Sequence, residues 1–378
     1  MAAFKPEGHN RSISELWEMW KPRVKANGYP FPYAKHEDME RVMKSLTSYD
    51  RNKWAQAFST VAKPYEEKAV EAEKRRDAKS AKQNYLLAYQ YYRLARYPTT
   101  NSDGKRAAYR KSQEMLLKAS HYFDVPIERV EIPFSGKPGE GKVVMGYIRV
   151  PKTGPAPFPL ILSWGGIDGF KEEHLNDFAL EKGIATLAID GPGVGDSPLK
   201  GSLDAERLFG AVLDWLSERK EIDARRVGVW GMSTGGYWAV KVAHVFRDRI
   251  ACAVSQGGPV HYGFQPDWFP QQEKGEYAFD VFDTLAFAFG KSSPEEYLEF
   301  APQLSLLSQR ILDAPCAPLL LVNGIHDSLF PISDYYLLLE HGGPKSARFY
   351  NVGHMGFTNE TFGMIMGWMI ERLFRPER

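Results

Sequence analysis

The chain has 378 residues, of which 43% are hydrophobic and 25% are charged, and its net charge is +1. These values are typical of a globular protein with one or two domains, and so small a charge argues against nucleic acid or an anionic membrane as a partner. No apolar run reaches the roughly 18 residues of a membrane span, and residues 1–7 lack the apolar core of a signal peptide, so we expect a cytoplasmic protein. Cys252 and Cys316 lie in apolar runs, which favours buried free thiols over a disulfide.

Helices are predicted throughout the first third of the chain. Leu87, Tyr91 and Leu94 share one helical face, and Tyr97-Pro98 ends that helix. We therefore expect residues 1–124 to form a helical N-terminal region. The predicted helices span 12–26, 37–47, 50–61, 64–96 and 104–120.

Strands and helices alternate from Ile127 onward, which predicts an α/β domain over 125–378 with a mainly parallel sheet and right-handed crossovers. The glycine-rich segment 136–141 joins the first two strands and favours an antiparallel hairpin. An aromatic-rich, mostly helical insertion over 257–314 is expected to form a cap above the carboxyl ends of the strands. The predicted strands span 128–134, 142–150, 159–164, 184–190, 226–231, 250–255, 317–323 and 347–352, and the predicted helices span 171–182, 203–220, 235–247, 333–342 and 357–373.

The most informative motif is Gly231-Met232-Ser233-Thr234-Gly235, which follows a β-branched run and precedes an amphipathic segment. It matches G-x-S-x-G, the nucleophile elbow of α/β-hydrolases, in which a sharp strand-to-helix turn exposes the serine hydroxyl. The glycines two residues before and after the serine leave room for that turn. The sequence therefore predicts the α/β-hydrolase fold: a mainly parallel eight-stranded sheet with flanking helices, a helical N-terminal region and a helical cap insertion.

A serine nucleophile needs a base, and the base needs an orienting acid; α/β-hydrolases supply them in the chain order Ser, Asp or Glu, His. Asp327 follows the strand predicted at 317–323, and His354 follows the strand predicted at 347–352. Asp334 competes as the acid, although it falls within the next predicted helix. His326 competes as the base, although it precedes the acid in the chain.

Backbone N–H groups must stabilise the oxyanion of the tetrahedral intermediate. One is expected from Thr234, and the second from Gly166 or Ile167, in the glycine-rich loop after the strand at 159–164. The segment 190–197 is glycine-rich but lacks the spacing of a nucleotide-binding loop, so it is interpreted as a strand-end turn. No Cys/His cluster has zinc spacing, and no cofactor or metal is expected.

Several tracts carry a wider resemblance: 92–98 (Tyr-Arg-Leu-Ala-Arg-Tyr-Pro), the elbow at 229–237, His261-Tyr262 followed by Pro266-Asp267-Trp268, and Gly353-His354-Met355-Gly356. Over nearly its full length the chain resembles the fungal yellowish-green heptaketide hydrolases, dihydroxypseudooxynicotine hydrolase and the FrsA-like esterases. The resemblance implies Ser233, Asp327 and His354 as a catalytic triad. It also implies hydrolysis of a carbon–carbon bond in a β-diketone-like substrate, N-terminal helices that act as a lid over the site, and a homodimer.

The favoured hypothesis is a cofactor-free serine hydrolase that cleaves a carbon–carbon bond in a small aromatic or polyketide-like molecule. A carboxylesterase of broad specificity is the alternative within the same fold. A non-catalytic binding or regulatory protein on a hydrolase scaffold is the alternative from another class. His261, Tyr262 and Trp268 are candidates for the substrate pocket, with core packing as their other interpretation.

Overall fold

The computed structural model describes residues 4–6 and 8–375. They form two compact units. The helical unit comprises residues 9–127 and 278–280. The sheet unit comprises residues 128–277 and 281–375, together with 4–6 and 8. No helix in the described ranges is long and apolar enough to cross a membrane.

The helical unit is built on aromatic side chains. Trp20, Trp54 and Phe58 are almost fully buried and lie ring against ring, with Trp20 and Trp54 at 6.0 Å and Trp54 and Phe58 at 5.0 Å between centroids. Its helices are α1 (Ile13–Lys25), α2 (His36–Ser45), α3 (Arg51–Lys74), α4 (Ala78–Arg96) and α5 (Asp103–Ser120).

The predicted boundary between helices at 61 and 64 is wrong. Helix α3 continues through Pro64 to Lys74, because Phe58, Ala69 and other apolar residues on both sides of the proline belong to one buried face. The chain turns instead at 75–77, where Arg76 has a positive φ of 58°. Asp77 then begins α4 by accepting the backbone N–H of Ser80 at 3.1 Å.

The sheet unit contains the predicted eight strands, in the order β1-β2-β4-β3-β5-β6-β7-β8. β1 and β2 pair in an antiparallel hairpin, β2 is antiparallel to β4, and the other pairs are parallel. This topology confirms the predicted α/β-hydrolase fold. The strands are β1 (Glu128–Pro133), β2 (Val143–Arg149), β3 (Phe158–Trp164), β4 (Ala185–Ile189), β5 (Ile222–Met232), β6 (Cys252–Gln256), β7 (Leu319–Gly324) and β8 (Ser346–Tyr350).

Helices cover both faces of this sheet. α8 packs with Val229 of β5 in one core, and α13 packs with Trp230 of the same strand in the other, because successive strand residues point to opposite faces. The predicted helix 171–182 is reduced to a 3₁₀ turn (Lys171–Glu173) followed by α6. The helices are α6 (Asp177–Glu181), α7 (Arg207–Ser217), α8 (Thr234–Val245), α9 (Phe269–Lys274), α10 (Val281–Ala288), α11 (Pro294–Phe300), α12 (Ser333–Glu340) and α13 (Thr361–Phe374).

The insertion between β6 and β7 carries α9, α10 and α11 with short 3₁₀ turns, so its helical character is as predicted. Its place above the strand ends stays a prediction, as does the lid role of residues 1–124. Both cysteines are free thiols, as expected, but only Cys252 is buried; Cys316 is half-buried.

Candidate active site

Ser233 lies between the last residue of β5 and the first residue of α8. Its backbone has φ 53° and ψ −133°, a conformation that costs a non-glycine residue free energy and persists only where its surroundings hold it. Two hydrogen bonds hold it here. The Ser233 N–H donates to the carbonyl of Gln256 at 2.7 Å, and the Ser233 carbonyl accepts the N–H of Gly236 at 2.7 Å.

The two glycines of the motif are required by close backbone approach. A Cβ on Gly231 would lie 2.2 Å from the carbonyl oxygen of Gly235. A Cβ on Gly235 would lie 2.3 Å from the carbonyl oxygen of Gly165, at the start of the glycine-rich loop after β3. These clashes involve backbone atoms that cannot rotate away, so both positions exclude every residue except glycine.

Ser233, His354 and Asp327 form one hydrogen-bonded chain. The Nε2 of His354 lies 2.8 Å from the Ser233 Oγ, and its Nδ1 lies 2.8 Å from the Asp327 Oδ2. Because a carboxylate only accepts hydrogen bonds, we infer that Nδ1 carries the proton and donates it to Asp327. Nε2 is then unprotonated and accepts the hydroxyl of Ser233.

Asp327 is held by three further donors. Its Oδ1 accepts the backbone N–H groups of Leu329 at 2.8 Å and Phe330 at 3.0 Å, and its Oδ2 accepts the Nδ2 of Asn323 at 2.8 Å. The Oδ1 of Asn323 accepts the N–H of Met355 at 2.9 Å, so this one amide joins the acid loop to the histidine loop. Sequence reasoning missed Asn323, whose only signal is its position at the end of β7.

The competing acid has a different role. Both oxygens of the Asp334 carboxylate are occupied by backbone N–H groups at the start of the insertion, at 2.7–3.0 Å. Burial raises the pKa of Asp334 to about 6, against the lowering effect of these hydrogen bonds. The donors to Asp334 are the backbone N–H groups of Val260, His261, Tyr262 and Gly263.

The competing base, His326, is exposed, and its Nε2 lies 2.7 Å from the Oδ1 of Asn351.

Glu276, in the insertion, touches the histidine loop. Its Oε1 accepts the backbone N–H of His354 at 2.8 Å and lies 3.2 Å from the Oγ of Ser328. Burial lowers the pKa of His354. The Asp327 carboxylate, its hydrogen bond and the charges of Glu276 and Asp168 raise the pKa by more than burial lowers it, so the pKa of His354 lies above its usual value. No local pattern marked Glu276, because it meets His354 only through the tertiary fold.

The predicted oxyanion loop lies against Ser233. A Cβ on Gly166 would lie 2.9 Å from the Ser233 Oγ and 3.3 Å from the Thr234 backbone nitrogen. The Thr234 N–H begins α8, where first-turn N–H groups have no intrahelical acceptor. The structure therefore brings Gly166 and Thr234 together at Ser233. The side chain of Ile167 is buried in the core of the sheet unit.

The model of one protein family, described as Esterase FrsA-like, matches residues 32–341. The chain belongs to the FrsA-like esterase family. The predicted resemblance to the FrsA-like esterases is thus confirmed, and the α/β-hydrolase fold of the sheet unit agrees with it.

Proteins similar to this FrsA-like chain include a curated relative and two solved structures. Esterase FrsA of Yersinia pestis (strain Pestoides F) is 29% identical over 234 residues, which cover 61% of this chain and 54% of that protein. The chain thus spans about half the length of the curated relatives it matches. Among solved structures, the 2,6-dihydroxy-pseudo-oxynicotine hydrolase superposes with a TM-score of 0.74 at 23% identity, covering 93% of this chain and 95% of that one. AbyA5 superposes with a TM-score of 0.73 at 22% identity, covering 95% and 93%. At these identities the two structures show a shared fold.

The three predicted pocket residues of the FrsA-like chain lie at the start of the insertion. Trp268 donates its Nε1–H to the carbonyl of Leu329 in the acid loop at 2.9 Å. His261 has its Nδ1 2.7 Å from the Oγ of Ser305, and burial lowers its pKa. Tyr262 is 42% exposed. Their role in binding substrate stays a prediction.

The turn at 190–197 holds a buried ion cluster beside the oxyanion loop. The Nζ of Lys171 lies 2.8 Å from Asp190 and 2.7 Å from Asp196. Lys171 is the residue after the loop 165–170, so this cluster fixes the far end of that loop. Within residues 4–6 and 8–375, no group of three or more His, Cys, Asp or Glu side chains is arranged to hold a metal ion.

Proposed function

We propose that this protein is a serine hydrolase in which Ser233 attacks a substrate carbonyl, and that it hydrolyses a carbon–carbon bond in a β-diketone or polyketide-type molecule. One observation carries the proposal. Two hydrogen bonds of 2.8 Å connect Asp327 to His354 and His354 to Ser233, and Ser233 occupies a strained turn beside the N–H of Thr234.

In the first step the Nε2 of His354 takes the hydroxyl proton of Ser233 while Oγ forms a bond to the carbonyl carbon. Asp327 stabilises the imidazolium that results. The negative charge that develops on the carbonyl oxygen is met by the N–H of Thr234 and by that of Gly166 or Ile167. Because these donors are fixed by the fold, they need little reorganisation as the charge appears.

In the second step the tetrahedral intermediate collapses and the bond to the neighbouring carbon breaks. The electron pair of that bond leaves as an enolate or phenolate, which takes the proton from the Nε2 of His354. Water, activated by the same histidine, then releases the acyl group from Ser233 as a carboxylic acid. A second route with the same groups adds activated water directly to the carbonyl, so that a gem-diol replaces the acyl-enzyme.

Carbon–carbon cleavage is favoured by the resemblance to the heptaketide and pseudo-oxynicotine hydrolases, the second of which shares the fold over 93% of this chain. Its name states that 2,6-dihydroxy-pseudo-oxynicotine is hydrolysed by that protein. A carboxylesterase remains the second candidate, because the matching family and the Yersinia relative are both named as esterases. A small aromatic or polyketide-like substrate, a homodimer and a cytoplasmic location are part of the proposal.

A fluorophosphonate probe and two substrates test the proposal. The probe should label wild-type protein at Ser233. The Ser233→Ala variant should fold normally and should not be labelled, and its turnover should fall by several orders of magnitude. Wild-type protein should cleave an aryl 1,3-diketone to an acid and a ketone. Efficient hydrolysis of p-nitrophenyl acetate without cleavage of the diketone would establish the esterase instead. Absence of labelling in the folded protein would refute both.

A further inference from the structure

A cavity of about 230 Å³ lies within the sheet unit beside β3, the start of β4 and the carboxyl end of β5, on the face of the sheet that α13 covers. Its floor is formed by Ile161, Thr186 and Trp230, and its side by Ile365 of α13. Ser233, Asp327 and His354 are not among its lining residues, so it is a space beside the hydrogen-bonded chain already described.

Three polar side chains of this cavity, those of Trp230, Gln256 and Thr361, are hydrogen-bonded within the protein. The Nε1–H of Trp230 donates to the Oε1 of Gln256 at 3.1 Å, and the Nε2 of Gln256 donates to the carbonyl of Met355 at 3.0 Å. The hydroxyl of Thr361 donates to the carbonyl of Gly356 at 2.6 Å. Glu173 adds a negative charge to the wall, which disfavours an anionic ligand. The lining therefore suits an uncharged, apolar group.

Exposed aromatic rings surround the entrance. Phe357 is 57% exposed and Phe362 is 47% exposed, and both line the cavity. Phe178, also exposed, packs edge-on against Phe362 with ring centroids 5.9 Å apart. Such a cluster of exposed aromatic side chains marks a site of contact with another apolar molecule. Flat rings bind well between aromatic walls, because edge-to-face and offset contacts add to the burial of apolar area.

The volume limits the size of the occupant. An apolar cavity of about 150 Å³ in a protein interior holds one benzene ring. A cavity of about 230 Å³ therefore holds one ring with substituents or two fused rings. A longer molecule must extend out of it.

Three loops of the active site border this cavity. Met232 lines it and directly precedes Ser233, and Gln256, another lining residue, accepts the N–H of Ser233 through its carbonyl at 2.7 Å. Phe357 lies three residues after His354. His174 also lines the cavity, and its Nε2 lies 2.6 Å from the position that a Cβ on Gly165 would take, at the base of the oxyanion loop.

We propose that this cavity, with Phe357 and Phe362 at its entrance, is the subsite that binds the flat, uncharged ring of the substrate while the scissile carbonyl lies at Ser233. The subsite rests on the proposed function, since it assigns a ring-bearing substrate to the same serine. It makes the enzyme selective for carbonyl compounds that carry one or two fused rings next to the bond that is cleaved.

Calorimetric titration of 2-naphthol into the folded Ser233→Ala protein tests the subsite without catalysis. Phe357→Ala with Phe362→Ala should weaken binding about tenfold, because two aromatic walls are lost. Leu175→Trp, which places an indole in the lining, should abolish binding. Phe374→Ala is the matched control: it changes the same residue type at the far end of α13, is 45% exposed, and should leave binding unchanged.

Kinetics with the serine in place give the second measurement. The double variant should lower kcat/KM for 2-naphthyl acetate about tenfold and leave that for methyl acetate within twofold. The subsite is overturned if all variants bind 2-naphthol equally well, or if the double variant loses activity equally with both esters. It is also overturned if the double variant changes its oligomeric state in sedimentation but still binds the ring unchanged. Fluorophosphonate labelling separates the two claims: a protein that binds 2-naphthol but is not labelled refutes the proposed function, whereas a labelled protein that binds no ring refutes only the subsite.

Discussion

Two buried aspartates, seven positions apart, accept hydrogen bonds from different kinds of donor. Asp327, in the loop after β7, accepts two backbone N–H groups, one side-chain amide and the ring of His354. Asp334, at the start of α12, accepts four backbone N–H groups from the segment that leaves β6. Both carboxylates are deeply buried and well bonded.

The difference lies in the donors. A backbone N–H cannot lose its proton, so a carboxylate that binds only such donors anchors a segment and does nothing else. An imidazole N–H belongs to a ring that gains and loses a proton at its other nitrogen, so the carboxylate that binds it influences that exchange. Burial and hydrogen-bond count alone therefore do not distinguish an active-site acid from a structural anchor.

The largest effect is expected from Asp327→Asn, which keeps the shape of the side chain but presents an amide to His354. The imidazole then loses the partner that fixes its protonated nitrogen, and kcat should fall about 10⁴-fold, as in other triads. Steady-state kinetics with a chromogenic ester measures the loss, and circular dichroism checks that the protein is folded. A loss below tenfold would show that Asp327 is not the orienting acid.

Asp334→Asn should act on stability instead. Replacing the carboxylate leaves buried N–H groups of the segment 260–263 without a full set of acceptors, which should cost about 2–4 kcal/mol of unfolding free energy. Urea titration measures it, with kcat of the folded fraction remaining within tenfold. The exposed Asp267→Asn is the control and should change stability by no more than about 0.5 kcal/mol. A 10⁴-fold loss of kcat in the folded Asp334→Asn variant would show that Asp334 takes part in catalysis and is not only a structural anchor.

Asn323→Ala should fall between the two aspartates. It removes a donor to Asp327 and the acceptor for the N–H of Met355, both buried, and should cost about 1–3 kcal/mol of stability. Because the acid loses one of its positioning hydrogen bonds, kcat should also fall, by about tenfold, which corresponds to about 1.4 kcal/mol in the barrier. Denaturation and kinetics on the same sample measure both. Loss of stability with unchanged kcat would place Asn323 with Asp334 as an anchor.

The smallest effect concerns pH. The proposed mechanism needs neutral His354, and the pKa of His354 is raised, so kcat/KM should increase with pH and reach half its plateau above pH 6.5. Glu276→Gln removes a negative charge that stabilises the imidazolium, so the pKa should fall and the half-point should move to lower pH, by less than about one unit. A pH–rate profile from pH 5 to 9 measures the shift. A move to higher pH would contradict the assigned charge effect.

The sequence predicted the parts of the site that are encoded by adjacent residues. The strand before Ser233, the glycines around it and the helix after it are consecutive, so the elbow could be recognised from one short segment. Asp327 and His354 could be placed because they follow strands whose carboxyl ends share one edge of a parallel sheet. The strands were identified because most are short apolar runs and β1 alternates polar and apolar residues, which are both strand patterns.

The missed features depend on segments distant in the chain. Glu276 lies 78 positions before His354, and Asp334 lies 71 to 74 positions after the N–H groups it binds, so no local pattern links them. The boundary between α3 and α4 was misplaced for a related reason. Pro64 is a helix breaker by local preference, but the buried face that α3 shares across it outweighs that preference.

The close backbone contacts at Gly231 and Gly235 limit how the sequence of this protein can evolve. Gly231, Gly235 and the loop at Gly165 meet within van der Waals range, so these positions tolerate essentially no substitution. Selection for a new substrate must therefore act elsewhere, on residues whose side chains are free to vary in size. The exposed rings of Phe357 and Phe362 are such positions, and variation in specificity within this lineage should concentrate there while the elbow stays constant.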